Sequence, residues 1–299
     1  MSWQKSLFDE FEVVDEPAAS TKQPIVNVAT VPMRSPFRYA GGKTWLVPQV
    51  RSWLKKRGGI DKELLEPFAG GGIVSLTAIF EGLVKRTIMV ELDDDVAAVW
   101  EVVTSDEALW LAERIMNFEL TPESAKEAIG QGNYSLRDKA FATIVKNRVN
   151  RGGILAEGAS FVKHGENGKG IRSRWYPSTL KQRILEIYRQ REKICFIHHN
   201  AFDVLRCNEA RSDVVYFIDP PYVKAGGRLY RHSEIDHLAL FEQANRLSGD
   251  FLMTYDDHPE ICELAQGYQF ELRRVPMKNT HHAEKYELLI GRDLSWLIS

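Results

Sequence analysis

From Leu64 onward the chain alternates short apolar runs with stretches of helical period. Leu64-Leu65-Glu66-Pro67-Phe68 predicts a strand running into a glycine loop. Ile73 to Glu81 then predicts a helix closed by Gly82. Thr87 to Leu92 reads as a second strand, and Asp93 to about Val103 as a helix with acids in its first turn, where the helix dipole favours them. Ile194–His198 and Val214–Ile218 are further buried strands, and Phe251–Tyr255 and Tyr286–Ile290 follow late in the chain. Strands separated by helices imply an α/β fold with a doubly wound, mainly parallel sheet.

The stretch from about 120 to 193 breaks this rhythm. It is rich in Gly, Arg, Lys and Asn, as in Gly152-Gly153 and Gly165-Glu-Asn-Gly168-Lys-Gly170. It reads as an inserted helical and loop-rich lobe, leaving 31–119 and 194–299 as the α/β body. Residues 1 to about 30 are polar and lack sustained periodicity, which predicts a flexible tail.

Composition adds little by itself. The 299 residues are 44% hydrophobic and 27% charged, an ordinary globular balance. No apolar run approaches the ~20 residues of a membrane span, and the N-terminus lacks a signal-peptide pattern. Cys195, Cys207 and Cys262 are scattered, so neither a disulfide framework nor a zinc site is expected, and a cytoplasmic setting fits. Charge changes the picture more. Net charge is −2, yet Arg137 to Lys193 holds 14 Lys and Arg against 5 acids. That excess suits a basic face for phosphates on an otherwise acidic body, or a solvated basic surface.

Three motifs carry candidate chemistry. The first is Asp219-Pro220-Pro221-Tyr222, directly after the apolar run Val214–Ile218. Two prolines cannot continue a central strand, so they fix a stiff loop at its carboxyl end, where open α/β sheets place ligands. Asp219 and the Pro220 carbonyl can each accept a hydrogen bond from an amine, and Tyr222 offers a face for a base. The second is Glu66-Pro67-Phe68-Ala69-Gly70-Gly71-Gly72, with Glu91 closing the next strand about 20 residues later, where an acid holds ribose hydroxyls. A nucleoside ligand follows, and these two features alone leave NAD as a rival. The third is Phe37-Arg38-Tyr39-Ala40-Gly41-Gly42-Lys43-Thr44. It is not a P-loop, because Phe37 stands where the first glycine would be. Lys43 remains either a ligand contact or a surface lysine. His198-His199 and His281-His282 are read as packing or surface residues, since strand neighbours point to opposite faces. No metal site is expected.

In this order the motifs resemble the Dam-type family (D12 class, alpha group) of DNA adenine-N6 methyltransferases. The match lies in AGGK at 40–43, PFAGGG at 67–72 and DPPY at 219–222, with weaker support from Asn147-Arg148, Asp236-His237, Thr254-Tyr255 and Glu287-Leu288-Leu289-Ile290. It spans roughly residues 34 to 292. The resemblance implies a sheet of the S-adenosylmethionine-dependent methyltransferase type, with 120–193 as a target-recognition lobe. It implies S-adenosylmethionine contacts from Tyr39, from Lys43 through the carboxylate end, and from the Phe68, Gly70 and Gly72 loop. Glu91 would bind the ribose, Asn200 and Phe202 the cofactor's adenine, and Asp219 would stand between cofactor and target. Asn200 replaces the acid common at that place. The implied catalytic set is Asp219, Pro220, Pro221 and Tyr222, acting on an adenine flipped out of double-stranded DNA. Arg148, Arg151, Lys163, Lys169, Arg172 and Arg174 would contact the DNA, with Trp175 and Tyr176 as stacking faces or wedges. The resemblance also allows a cognate restriction endonuclease as partner. The rival readings are methylation of cytosine N4, of RNA adenine or of a protein glutamine, and a DNA-binding relative without catalysis.

Overall fold

The computed structural model describes residues 31–39, 41–130, 135–156, 158–165, 168–222, 235–278 and 284–297. The tail at 1–30, Ala40 and the pair His281-His282 lie outside them. Seven strands form one sheet: β1 (Glu63–Glu66), β2 (Arg86–Glu91), β3 (Ile194–His198), β4 (Val214–Ile218), β5 (Phe251–Asp256), β6 (Glu271–Lys278) and β7 (Glu284–Gly291). Their spatial order is β3-β2-β1-β4-β5-β7-β6. The first five pair in parallel, while β7 enters antiparallel between β5 and β6. This is the doubly wound, mainly parallel α/β sheet that the apolar runs imply.

One strand escaped the sequence reading. β6, Glu-Leu-Arg-Arg-Val-Pro-Met-Lys, is an edge strand. Its charge and proline blunt further pairing and hide the apolar signature of a buried strand. The other edge strand, β3, read as buried from its apolar run, is fully buried only at Ile194, because nothing pairs with its outer side.

The strands between them divide the core in two. On β4, Val215 and Phe217 pack to one face, while Val214, Tyr216 and Ile218 pack to the other. Alternation along a pleated strand requires this when helices cover both sides. The first face is covered by α1 (Val47–Lys56), α2 (Ile73–Phe80) and α3 (Asp94–Val103), and the second by α8 (Ala201–Asn208), α9 (His237–Arg246) and α10 (Pro259–Gly267). Between α3 and β3 the chain adds α4 (Glu107–Met116), α5 (Pro122–Gly130), α6 (Leu136–Val149) and α7 (Pro177–Arg189). Ala140, Ile144 and Val145 of α6 and Leu180, Ile184 and Ile187 of α7 join the same core as Trp100 of α3 and Leu111 of α4. Among the described residues no helix is long and apolar enough to cross a membrane.

The strand order sets the place of the site. β1 lies between β2 and β4, so the connections diverge there and open a crevice beyond the carboxyl ends. Glu66 ends β1, Glu91 ends β2 and Asp219 follows β4. Because β7 runs the opposite way, its amino-terminal half reaches the same edge: Glu287 pairs with Asp256 at the end of β5.

Candidate active site

A cavity of about 240 Å³ opens at that edge. Tyr39, Lys43, the glycine loop 70–72, Glu91, Asn200 and Phe202, and Asp219 all line it, although they come from five separate parts of the chain. Apolar walls with a few convergent polar groups are what a nucleoside ligand needs.

The glycine loop is built by close approach. Gly72 has φ +61, a left-handed conformation, and a Cβ there would lie 2.5 Å from the Met89 side chain and 2.7 Å from the Trp100 ring. Trp100 donates its indole N–H to the Gly70 carbonyl at 2.8 Å. Tyr39 covers the loop from the other side, so that a Cβ on Gly70 would fall 2.5 Å from its ring. Gly72→Ala is therefore expected to cost about 2–4 kcal/mol of stability, from left-handed strain plus overpacking. A denaturant titration would measure it.

Glu91 holds this loop to the end of β2. Its Oε2 accepts the Gly70 N–H at 2.9 Å, and its Oε1 accepts those of Leu92 at 2.8 Å and Asp93 at 2.9 Å. Burial pushes its carboxyl above the usual range, against those same backbone donors. A carboxylate offers about four acceptor positions, so three backbone donors leave room for a ribose hydroxyl. Asn200 caps α8, its side-chain oxygen accepting the Phe202 N–H at 2.8 Å. That leaves the amide's NH₂ as donor, which suits a ring nitrogen of a purine better than its exocyclic amine.

Glu66 is buried behind the loop and accepts the Ser75 N–H at 3.0 Å. Burial raises its pKa from 4.5 to about 8, against the Ser75 bonds and with Asp219 adding to the rise. The unfolded chain ionises this group from about pH 4.5, while the folded protein keeps the proton until about 8. Its contribution to stability therefore falls as pH rises between those values and is constant above them. Glu66→Gln is expected to remove that slope, measured as the difference in melting temperature between variant and wild type from pH 5 to 8.

The Asp219 loop carries the densest polar network. Asp219 Oδ1 accepts from Thr254 Oγ1 at 2.7 Å, and Oδ2 lies 2.9 Å from Lys43 Nζ. Lys43 also donates to the Gly41 carbonyl at 2.9 Å, stands 3.8 Å from Glu287 Oε2 and lies 4.8 Å from the centre of the Tyr222 ring. Tyr222 donates its hydroxyl to Glu287 Oε2 at 2.9 Å and stacks near Tyr255, the centroids 6.3 Å apart. Lys43 is 3% exposed. Burial works against its charge, but Asp219 and Glu287 outweigh that and hold its pKa above the ordinary value. Burial pushes the Glu287 carboxyl up, with Lys43 opposing.

Lys43 thus lines the cavity, as expected for a ligand contact, but its ammonium is engaged by Asp219 and Glu287. Glu66, Thr254 and Glu287 complete the network, and sequence reading gave none of them a role. Thr254 and Glu287 stood in the weaker motif matches, and a lone Thr at a strand end carries no signal of its own.

The six basic residues expected at DNA separate into groups. Arg148 is buried, and one guanidinium nitrogen donates to the Pro36 carbonyl. Burial, then Arg183 and Arg38, lowers its pKa to about 9. Its neighbour Asn147 receives the Arg38 N–H at 2.9 Å and donates to Gly153 O at 2.7 Å, so this pair ties α6 to the segment before Tyr39. Arg148 is therefore placed as an internal fastener, away from a solvent-side phosphate. Arg174 is half-buried. Arg151, Lys163, Lys169 and Arg172 are exposed, Arg172 also donating to the Leu120 carbonyl at 2.9 Å. Trp175 packs edge-on to Phe118, whereas Tyr176 is exposed. Part of the basic excess is spent on neighbouring helices: Lys139 and Lys146 pair with Asp94 and Asp95 at 3.8 Å, and Arg137 with Glu107 at 3.6 Å. His198 and His199 lie beside Asp94 and Asp203. Among the described residues no three His, Cys, Asp or Glu gather as a metal site.

Residues 39–129 match the family model of the D12 class N6 adenine-specific DNA methyltransferases. That stretch contains Tyr39, Lys43, the glycine loop and Glu91, and ends before Asp219. No curated protein matches the sequence. Similar solved structures include a candidate RNA methyltransferase from Pyrococcus horikoshii, 11% identical, covering 84% of this chain and 83% of its own, with a TM-score of 0.39. An rRNA methyltransferase from Streptomyces viridochromogenes is 11% identical over 82% and 84%, with a TM-score of 0.33. A precorrin-6y C5,15-methyltransferase from Geobacter metallireducens is 12% identical over 81% and 85%, also at 0.33. These likenesses are remote, and the fold is read from the strand order itself. The D12 class is recognised in the chain over residues 39–129, which supports methyl transfer with S-adenosylmethionine as the cofactor.

Proposed function

We propose that the protein methylates the exocyclic N6 amine of adenine in double-stranded DNA. The observation that carries this reading is Asp219, held by Thr254 on one oxygen and Lys43 on the other, at the mouth of a nucleoside-sized cavity. Bound S-adenosylmethionine supplies a methyl group already activated by its sulfonium. The residues therefore need only bind, align and exclude water. Glu91 and the glycine loop fit the ribose end, and Asn200 and Phe202 the base end of the cofactor.

A target amine at Asp219 would meet two acceptors, the carboxylate and the Pro220 carbonyl. Two acceptors draw on both N–H bonds and turn the nitrogen's lone pair outward to the methyl. Tyr222 supports the base by stacking, which requires the adenine to leave the duplex. Arg151, Lys163, Lys169 and Arg172 are exposed, and Arg151 directly precedes the loop that lends Gly153, Ile154 and Leu155 to the cavity wall. They suit phosphates flanking the flipped nucleotide.

The test is transfer of labelled methyl to three polymers: duplex DNA, duplex DNA lacking adenine, and single-stranded RNA. Label is expected in the first alone. Equal labelling of RNA, or of adenine-free DNA, would replace this reading with one of its rivals.

A further inference from the structure

We infer that Glu287, on β7, is a positioning residue for the transfer step, holding Tyr222 and Lys43 together through one carboxylate oxygen. This rests on the function proposed above and adds a residue to it.

Asp219 and Tyr222 are the two ends of a four-residue loop, and each needs a fixed orientation. Prolines stiffen the backbone between them but do not set either side chain. Asp219 is set by Thr254 and Lys43. The remaining question is what sets Tyr222. Its hydroxyl donates to Glu287 Oε2 at 2.9 Å, and the same oxygen lies 3.8 Å from Lys43 Nζ. Glu287 is 5% exposed, so this contact is made away from bulk water, where a charged acceptor is strongest. A continuous chain of contacts therefore runs from Tyr222 to Glu287, to Lys43, to Asp219 and to Thr254.

The chain crosses the sheet rather than the loop. Glu287 stands on an antiparallel strand, paired with Asp256 of β5, whose neighbour two residues earlier is Thr254. The β4–β5 pairing thus sets Thr254 and the β5–β7 pairing sets Glu287, one anchor for each end of the loop. A shift of one residue between β5 and β7 would turn Glu287 to the face opposite Thr254.

Glu287 does not need to touch the substrate to act. If Tyr222 turns, the base it supports turns too, and the amine leaves Asp219. Small misalignments of a reacting atom cost rate rather than cofactor binding. The oxygen matters as an acceptor for the hydroxyl, so an amide in its place keeps most of the effect.

The experiment is single-turnover methyl transfer to duplex DNA, with cofactor affinity measured by calorimetry, for Glu287→Ala, Glu287→Gln, Tyr222→Phe and Glu287→Ala combined with Tyr222→Phe. Glu287→Ala is expected to slow transfer about 10- to 100-fold with cofactor affinity within about twofold of wild type. Tyr222→Phe keeps the ring and loses only the hydroxyl, and is expected to slow transfer by no more than Glu287→Ala does. The combined variant is expected to be no slower than Glu287→Ala alone, since that change already removes the Tyr222 hydroxyl's contact together with the one to Lys43. Glu287→Gln is expected to stay within about threefold of wild type. A merely structural role would lower the melting temperature of Glu287→Ala without that non-additivity or that rescue. Multiplying effects in the combined variant, or wild-type transfer by Glu287→Ala, would overturn the inference. If the wild-type protein itself transfers no methyl to DNA, the proposed function fails first and carries this inference with it.

Discussion

Asp219→Ala is expected to lower the methyl-transfer rate by at least about a thousandfold while leaving S-adenosylmethionine binding within a few fold of wild type. The carboxylate is the proposed acceptor for the target amine, with Thr254 Oγ1 at 2.7 Å and Lys43 Nζ at 2.9 Å fixing its two oxygens. Its loss removes one of two acceptors for the amine and the partner that keeps Lys43 in place. The residues proposed for the cofactor's ribose and base, Glu91 at the end of β2 and Asn200 at the start of α8, are left untouched. Asp219→Asn is the sharper probe. The amide still accepts from Thr254 and from the target amine but presents NH₂ to Lys43, so an intermediate loss is expected. Radiolabel transfer under single-turnover conditions, with calorimetry for the cofactor, reads both. Near-wild-type transfer by Asp219→Ala would remove the loop from the chemistry.

Lys43→Ala has the largest expected effect on stability. Lys43 is 3% exposed and Glu287 5%, and removing the cation leaves that carboxylate buried beside Asp219 with no positive charge. Removing one partner of a buried pair costs about 3–5 kcal/mol, and the partial exposure of Asp219 favours the lower end. The pH dependence has a definite sign. The folded pKa of Lys43 is raised above its unfolded value, so its contribution is complete below the unfolded value and is lost as pH rises through the folded one. The stability gap between wild type and variant should therefore be constant across neutral pH and close only in strong alkali. Urea titrations at pH 7 and above pH 10.5 would check this, and a gap that stays unchanged through strong alkali would contradict it.

The fold was largely legible because its central strands are buried on both faces. Runs such as Val214–Ile218 have no polar position to confuse them, and Asp93 and Gly82 mark their helix boundaries through capping and positive φ. β6 was not legible, because an edge strand carrying Arg273, Arg274 and Pro276 reads as surface. The site was legible where chemistry sits in contiguous motifs. It was not legible where the sheet brings single residues together: Thr254 reaches Asp219 through the parallel pairing of β4 with β5, and Glu287 reaches Tyr222 through the antiparallel pairing of β5 with β7. Arg148 shows the opposite failure. Its place in a basic stretch points outward, yet its neighbours Phe141 to Val149 form a buried face of α6, and it folds inward to the Pro36 carbonyl.

The most direct measurement is nucleoside mass spectrometry of duplex DNA after incubation with the purified protein and S-adenosylmethionine carrying a deuterated methyl group. The label is expected in N6-methyldeoxyadenosine and in no other nucleoside. Label in N4-methyldeoxycytidine, or unlabelled DNA from a protein that binds S-adenosylmethionine, would contradict it.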